Sequence, residues 1–500
     1  MGSEMCIRDR YNNFYKMKKS ISGQAINLAN DFLKFNSTCH SPYQVVVTVE
    51  QILKSHKFTR LNENKPFNLN PGGRYYIKRG FDSSMIVFDV PTNYKADSLS
   101  FKLMATHVDS PCLRMAPRSK KNFKSLEQVC IQTYGGGLWH TWFDRTLVLG
   151  GRVVITENGK LKQKIFSSPH AVAKVPNLAI HLQKDRNTFK PDREAHLKPL
   201  IAQELEGLFN KNENVPEHAE NSKTPENLKT AEQNHSLGVL KMIAKELGCG
   251  TNDIVDFDLC FADSNPPSLF GVNQEFISSP RLDNLFSVYF SLAGYLENLE
   301  SGKANSSSDL NVLMMFDHEE IGSQTYVGAD SSYIKTLLNR ITTRLRQLET
   351  KDKSSDPTLL AQILARSLVI SADMAHGVHP NYPSYHQCNH MVEVNKGVVL
   401  KFNCNGRYIT DSSSASIIKL IASRAQVPLQ EFIVPQNSPC GSTVGPMLAS
   451  KLGCVGIDVG VPQLAMHSIR ETCGVLDAYH YKEFFREICA TVVDDVMVSQ

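Results

Sequence analysis

The sequence has no Cys-x-x-Cys pair, and its 12 cysteines are scattered singly along the chain. That pattern argues against a disulfide framework and for reduced thiols in a cytoplasmic compartment. No apolar run approaches the length of a membrane span, so no segment is expected in a bilayer. An excess of one charge is also missing. The 54 basic and 50 acidic residues leave a net charge of +4, too slight to argue for a nucleic-acid partner or a membrane surface. The opening MGSEMCIRDR lacks the apolar core of a signal peptide, and Glu4 and Asp9 break a transit-helix pattern. Cys6 stands where myristoylation of Gly2 would need Ser or Thr. Residues 1–19 are therefore expected to lie outside the fold, with Met17 nearer the native start. What remains is an ordinary globular composition, 41% hydrophobic and 21% charged over 500 residues, enough for two or three domains.

Apolar spacing predicts helices over Ser20–Phe35 and Tyr43–Lys54, then strands at Gly73–Lys78, Met85–Asp89 and Ser100–Thr106. From Cys112 to about Asp256 the chain becomes β-rich and glycine-punctuated, with strands expected at Gln128–Thr133, Leu147–Ile155 and Lys160–Phe166. Both tryptophans lie between the first two of these, in Gly135-Gly136-Gly137-Leu138-Trp139-His140-Thr141-Trp142. A triple glycine beside two indoles suits either an interface or pocket rim, or local core packing. Residues 210–236 are polar and poor in apolar side chains, which predicts a mobile loop. Beyond Asp256 strands and helices alternate again. Helices are expected at Leu285–Leu299, Tyr333–Leu348, Ala415–Arg424 and Lys482–Met497, and strands at Ser367–Ser371, Val398–Asn403 and Val455–Val459. This alternation implies a mostly parallel, helix-covered sheet. The simplest organisation is one α/β domain, 20–111 and 257–500, interrupted by a β-rich insertion at 112–256.

The most informative stretch is Leu310–Gly322, LNVLMMFDHEEIG. Val312 to Phe316 are apolar without a break, as in a strand buried on both faces. The run stops at Asp317-His318-Glu319-Glu320. Carboxylates at the end of a buried strand are costly unless something compensates, and a metal ion compensates most strongly. Other strand ends and turns carry ligand-type residues: His107-Val108-Asp109 after SFKLMAT, Asp373 and His376 after SLVIS, and His467 beyond Val455–Val459. Asp283 sits where a loop enters the Leu285 helix. In open α/β sheets, sites form beyond the carboxyl ends of the strands, so these loops can converge. Singly each has a plainer explanation: a surface His–Asp pair, a first-turn charge for Asp283, a hydrogen-bonded core histidine for His467.

Taken together, the motifs ATHVDSP (Ala105–Pro111), GGGLWHTWFDR, SPRLDN, FDHEEIGS, SADMAHGVHPNY and GPMLASKLGCVGIDVGVPQLAMHSIRE resemble the aspartyl aminopeptidases, metallopeptidases of family M18. The resemblance runs from about Ile21 to the C-terminus. It implies a zinc-exopeptidase-like α/β domain interrupted by a β-rich dimerisation domain. It also implies two zinc ions per subunit, with manganese or cobalt as options, since the ligands are imidazole and carboxylate without thiolate. Asp283 would bridge the ions, His107 and Asp373 would complete one shell, and Glu320 and His467 the other. Asp109 would accept a hydrogen bond from His107, and Glu319 would be the general base toward a metal-activated water.

The implied substrates are peptides with an N-terminal Asp or Glu, which requires a cation in the pocket. Lys401, which breaks the apolar run Val398–Phe402, is the nearest candidate; its plainer explanation is a charge protecting an edge strand. His376 is a second pocket candidate. His181, a polar residue in the strand-like run Leu178–Leu182, would reach a neighbouring subunit's site. The family also implies a homo-dodecamer built from dimers. Thr146 departs from the Asp that usually follows Phe-Asp-Arg, which bears on a local contact and on no ligand. Two rivals stay open: a related exopeptidase or deacylase of different preference, and a non-catalytic scaffold.

Overall fold

The computed structural model describes residues 21–204, 228, 231–302, 309–350 and 356–497. The expectation for residues 1–19, and that for most of the 210–236 loop, lies outside them. Among the described residues, nine strands form the central sheet. Its middle consists of four adjacent parallel strands, Asp309–Phe316, Ser100–His107, Leu368–Ala372 and Val455–Gly460. Antiparallel pairings with Ser84–Asp89 on one side and Val398–Lys401 on the other flank this parallel core.

The middle strands read as continuous apolar runs because both faces are covered. All eight residues of Asp309–Phe316 are buried, and alternate side chains serve opposite layers. Leu313 and Met315 enter one core with the helices at 21–38, Pro42–Ser55, Leu282–Glu300, Ser412–Ala425 and Val475–Ala490. Val312, Met314 and Phe316 enter the other with Tyr333–Thr350, Leu359–Ala365 and Val444–Leu452. The Leu282–Glu300 helix is buried well beyond a single stripe. Phe286 meets Phe32 at 5.3 Å and Phe290 at 4.5 Å between ring centroids.

The β-rich segment forms an antiparallel barrel. Ile254–Asp263 pairs with both Cys112–Phe123 and Thr146–Glu157 and so closes the ring, which continues through Leu126–Tyr134, Leu200–Gln203 and Ala173–Lys174. Trp139 and Trp142 sit in a 3-10 turn and are buried in the barrel's core with Leu113, Leu147 and Phe261. Thr146 bonds Ser264 through their hydroxyls at 2.6 Å, a contact within the barrel.

Several expectations need correction. The last α-helix is Val475–Ala490, not Lys482–Met497. Gly474 precedes it in an extended conformation, and after Thr491 only a 3-10 turn follows at Val493–Asp495. Residues 231–234 at the end of the expected polar loop are helical, because Ala231 and His235 turn inward. His181 lies in an exposed 3-10 turn, Ile180–Leu182, rather than a strand. Val398–Lys401 lies between Val455–Gly460 and Leu429–Phe432, so Lys401 does not protect a sheet edge. No described cysteine forms a disulfide, and no helix among the described residues is long and apolar enough to cross a membrane.

Candidate active site

The four parallel strands end side by side; three of them lead directly into site residues, and the fourth, Val455–Gly460, leads on through Pro462–Leu464 to His467. Phe316 is in register with His107, and Ala372 with Val459. His107 is the last residue of its strand. Glu319 and Glu320 occupy a 3-10 turn after Phe316, closed by left-handed His318 and Gly322. Asp373 follows Ala372 directly, and its backbone N–H donates to Val459 O at 2.9 Å. Gly460 makes this approach possible: a Cβ there would stand 2.0 Å from the Asp373 carbonyl oxygen. Asp283 enters from the start of Leu282–Glu300, where it and Asn284 depart from helical geometry. His467 lies beyond Pro462–Leu464 with a left-handed backbone, φ +65°.

The two histidines aim the same nitrogen at one carboxylate. His107 Nδ1 is 3.0 Å from the Asp109 carbonyl oxygen and donates to it, which turns Nε2 toward Asp283 Oδ1 at 3.3 Å. His467 Nδ1 donates to Gly136 O at 3.1 Å, leaving Nε2 3.4 Å from both Asp283 Oδ2 and Glu320 Oε1. His107 Nε2 is also 3.7 Å from Asp373 Oδ1 and 3.9 Å from Glu319 Oε2. Ligand atoms of His107, Asp283 and Glu320 all lie within 4.8 Å of one another. Asp283 Oδ1 and Glu320 Oε1 are buried without a hydrogen-bond donor. Buried carboxylate oxygens with no donor are costly in isolation. Together with the two imidazole Nε2 atoms they make a donor set fitted to a divalent cation, which would take the place of the Nε2 protons.

The charge balance points the same way. Burial would lower the pKa of His107, but Glu319, Asp109, Asp283 and Asp373 raise it well above the usual histidine range. His467 likewise overcomes burial through Asp283 and Glu320 and is pushed up to about 10. Burial, then Asp283, drives Glu320 well above the usual carboxylate range. Burial also lifts Glu319, to about 8, with help from Asp373, Asp109 and Asp283. The cluster holds protons tightly because it has more carboxylates than cations, a deficit that metal binding satisfies.

Asp109 accepts from His107 as expected, but through its backbone. The carbonyl, not the carboxylate, receives the His107 proton; Oδ1 stands 3.5 Å from Nδ1. The carboxylate instead accepts Tyr134 Oη at 2.6 Å and the N–H groups of Glu319 and Glu320 at 3.2 and 3.1 Å. Asp317 and His318 stay outside the cluster. Asp317 accepts its neighbour's N–H at 2.9 Å, and His318 Nδ1 lies 2.9 Å from Thr325 Oγ1.

Lys401 is buried beside the site. Its ammonium donates to the carbonyls of Asp373 and Met374 at 3.3 and 3.0 Å and faces Tyr408 at 4.7 Å. His376 is exposed on the rim, with its ring 5.9 Å from Phe432. His181 is exposed in its barrel turn, with no contact to the cluster within this chain.

One functional residue escapes sequence reasoning. Glu471 is buried and accepts the backbone N–H of Asp283 at 3.0 Å and of His467 at 2.8 Å. It therefore ties two ligand-bearing segments together. Its only signal is a lone acid in the run that follows His467.

A family description, Aminopeptidase I zinc metalloprotease (M18), matches residues 35–488. The chain belongs to the M18 aminopeptidase family. It is 38% identical over 473 residues to the aspartyl aminopeptidase of Caenorhabditis elegans, covering 94% of this chain and 97% of the relative. It is 38% identical over 463 residues to that of Dictyostelium discoideum, covering 91% and 95%. Among solved structures, the Ape4 and Nbr1 complex aligns with a TM-score of 0.86 at 34% identity, covering 96% of this chain and 89% of that one. The S. cerevisiae mApe1 dodecamer shares the fold at a TM-score of 0.78 and 24% identity, covering 93% and 98%. The M18 chain is thus a zinc metalloprotease-family enzyme with the α/β-plus-barrel architecture of its relatives.

Proposed function

We propose that this M18 enzyme removes N-terminal Asp or Glu from peptides, and that Asp283 would be a shared ligand of the two zinc ions the reaction would use. The observation that carries the reading is the placement of the two histidines: one Nε2 at each oxygen of a single buried carboxylate. His107 and Asp373 would hold one ion, and Glu320 and His467 the other. Manganese or cobalt would suit the same imidazole and carboxylate ligands. When bound, the ions supply Lewis acidity, acidifying a water and polarising the scissile carbonyl.

Glu319 is the base in this scheme. Its carboxylate lies beside the ligands but farther from His107 than Asp283 is, 3.9 against 3.3 Å. It takes the water's proton and returns it to the leaving amine. Burial raises its pKa, and positive charge at the neighbouring ligands would draw it back toward the working range.

Acidic preference is assigned to Lys401. An ammonium has three donors, and two are spent on the Asp373 and Met374 carbonyls, leaving one for a substrate carboxylate. His376 would line the same pocket. The barrel would serve as a dimerisation domain within a homo-dodecamer, with His181 reaching a neighbouring subunit's site. Supporting this, Leu178, Ile180 and Leu182 around His181 are 56%, 56% and 69% exposed, an apolar surface that a partner would cover. Unpaired cysteines throughout the described chain suit a cytoplasmic location.

Turnover of Asp-, Glu-, Leu- and Lys-peptide analogues, with and without chelator, tests the reading. Chelator-sensitive cleavage confined to Asp and Glu is expected. A preference for Leu or Lys would overturn the acidic specificity, and no turnover by zinc-loaded protein would favour a scaffold.

A further inference from the structure

The turn Tyr134–Thr141, between the barrel strands Leu126–Tyr134 and Thr146–Glu157, touches the histidine–carboxylate cluster at several points. Tyr134 closes the Leu126–Tyr134 strand, and its hydroxyl donates to Asp109 Oδ2 at 2.6 Å. The same carboxylate receives the backbone N–H groups of Glu319 and Glu320. The Arg114 guanidinium, also from the barrel, lies 3.7 Å from the centre of the Tyr134 ring and holds it in place. Two residues on, Gly136 O receives the His467 ring proton. The Leu138 N–H donates to His467 O at 2.8 Å, and the Ile469 N–H donates to Thr141 Oγ1 at 2.9 Å. Gly135, at φ +74°, has room for no comfortable side chain, because a Cβ would lie 3.3 Å from Glu320 Cβ. Asp109, Arg114, Tyr134, Asp283 and His467 line one cavity at this seam.

We propose that the barrel, through this turn, is a positioning element of the peptidase centre and not solely an assembly module. Tyr134 orients Asp109, and Asp109 clamps the backbone that aims Glu319 and Glu320 in different directions. The Gly136 carbonyl fixes the His467 tautomer. The inference rests on the roles proposed above for Glu319, Glu320 and His467, but the clamp itself is independent of metal. Partners of this outer kind, when removed, typically cost about 10- to 100-fold in metal affinity or activity.

The test is Tyr134→Phe in the full chain, which deletes one oxygen and keeps the ring for Arg114. Tyr295→Phe is the control, deleting another buried hydroxyl that donates to an aspartate, Asp89, at 2.9 Å. In zinc-loaded protein, Tyr134→Phe is expected to lower kcat on an Asp-peptide about ten-fold or more, with KM little changed, and to weaken zinc binding in chelator competition similarly. In chelator-stripped protein the Glu319 and Glu320 amides should exchange with deuterium about five- to ten-fold faster. Tyr295→Phe should leave all three unchanged. Unaltered amide exchange in Tyr134→Phe would overturn the inference whether or not the protein hydrolyses peptides. Unaltered kcat and zinc affinity in an active wild-type background would overturn it as well.

Discussion

Glu319→Gln separates proton transfer from metal binding. The substitution keeps the size of the side chain and removes its charge and basicity. Glu319 is held by its backbone, whose N–H donates to Asp109 Oδ1 at 3.2 Å, so the turn should survive. Its carboxylate stands 3.9 Å from His107 Nε2, whereas the neighbouring Glu320 carboxylate approaches His467 at 3.4 Å and has an oxygen without a donor. The first geometry is that of a group poised over a site, the second that of a ligand. A general base contributes about 10²- to 10⁴-fold, or about 3–5 kcal/mol of barrier at 1.36 kcal/mol per decade. With its pKa lifted to about 8, Glu319 is largely protonated in the metal-free protein at neutral pH, so a neutral Gln should leave that fold no less stable. Steady-state kcat on an Asp-peptide, with zinc counted by elemental analysis, makes the comparison. The expected result is full zinc content and a kcat lower by about 10² or more. Near-normal turnover would refute the base assignment, and loss of zinc would make Glu319 a ligand.

Lys401→Gln should raise KM for Asp- and Glu-peptides about ten-fold or more, through loss of a charge-assisted hydrogen bond. A neutral-substrate background, if measurable, should change far less, and equal effects on both would remove Lys401 from the pocket. Gly460→Ala places a Cβ against the Asp373 carbonyl oxygen; thermal unfolding should report about 1–3 kcal/mol of overpacking together with reduced zinc content. Asp89 is buried, and burial raises its pKa to about 6 from 3.8 despite the Tyr295 hydrogen bond. A carboxyl whose folded pKa is raised binds its proton more tightly in the native state. Its stabilisation is complete below about pH 4 and is lost as pH rises through 6. Asp89→Asn should abolish that loss, worth up to about 3 kcal/mol, in denaturant titrations across the window. A parallel pH profile for both proteins would contradict it.

Much of the architecture was legible because the central strands are buried on both faces and read as unbroken apolar runs. Val312–Phe316 is such a run, and the chemistry follows at its end. The motif set likewise pointed to five residues that the fold brings together, His107, Glu320 and Asp373 because ends of neighbouring parallel strands gather on one edge. Less legible were features decided by tertiary contact. An edge charge stays open as the plainer reading of Lys401 because sequence order does not reveal that Leu429–Phe432 pairs outside it. The final helix was misplaced because the Val475–Ala490 segment, buried against Leu282–Glu300, carries polar residues such as Asp477 whose partners lie on other elements; Asp477 accepts the N–H groups of Asn395 and Gly397 at 2.7 and 3.0 Å. Glu471 and Tyr134 had no spacing signal at all, since each works through backbone groups or a carboxylate remote in sequence.

In the proposed mechanism the histidine–carboxylate cluster would be a metal centre on which turnover depends. Zinc counted per chain in exhaustively dialysed protein, alongside Asp-peptide turnover of the same sample, tests it most directly. About two zinc ions per chain are expected, with both zinc and activity lost in Asp283→Ala and restored to chelated wild type by added zinc. Full turnover by wild-type protein that demonstrably holds no metal would rule out a metal-dependent mechanism.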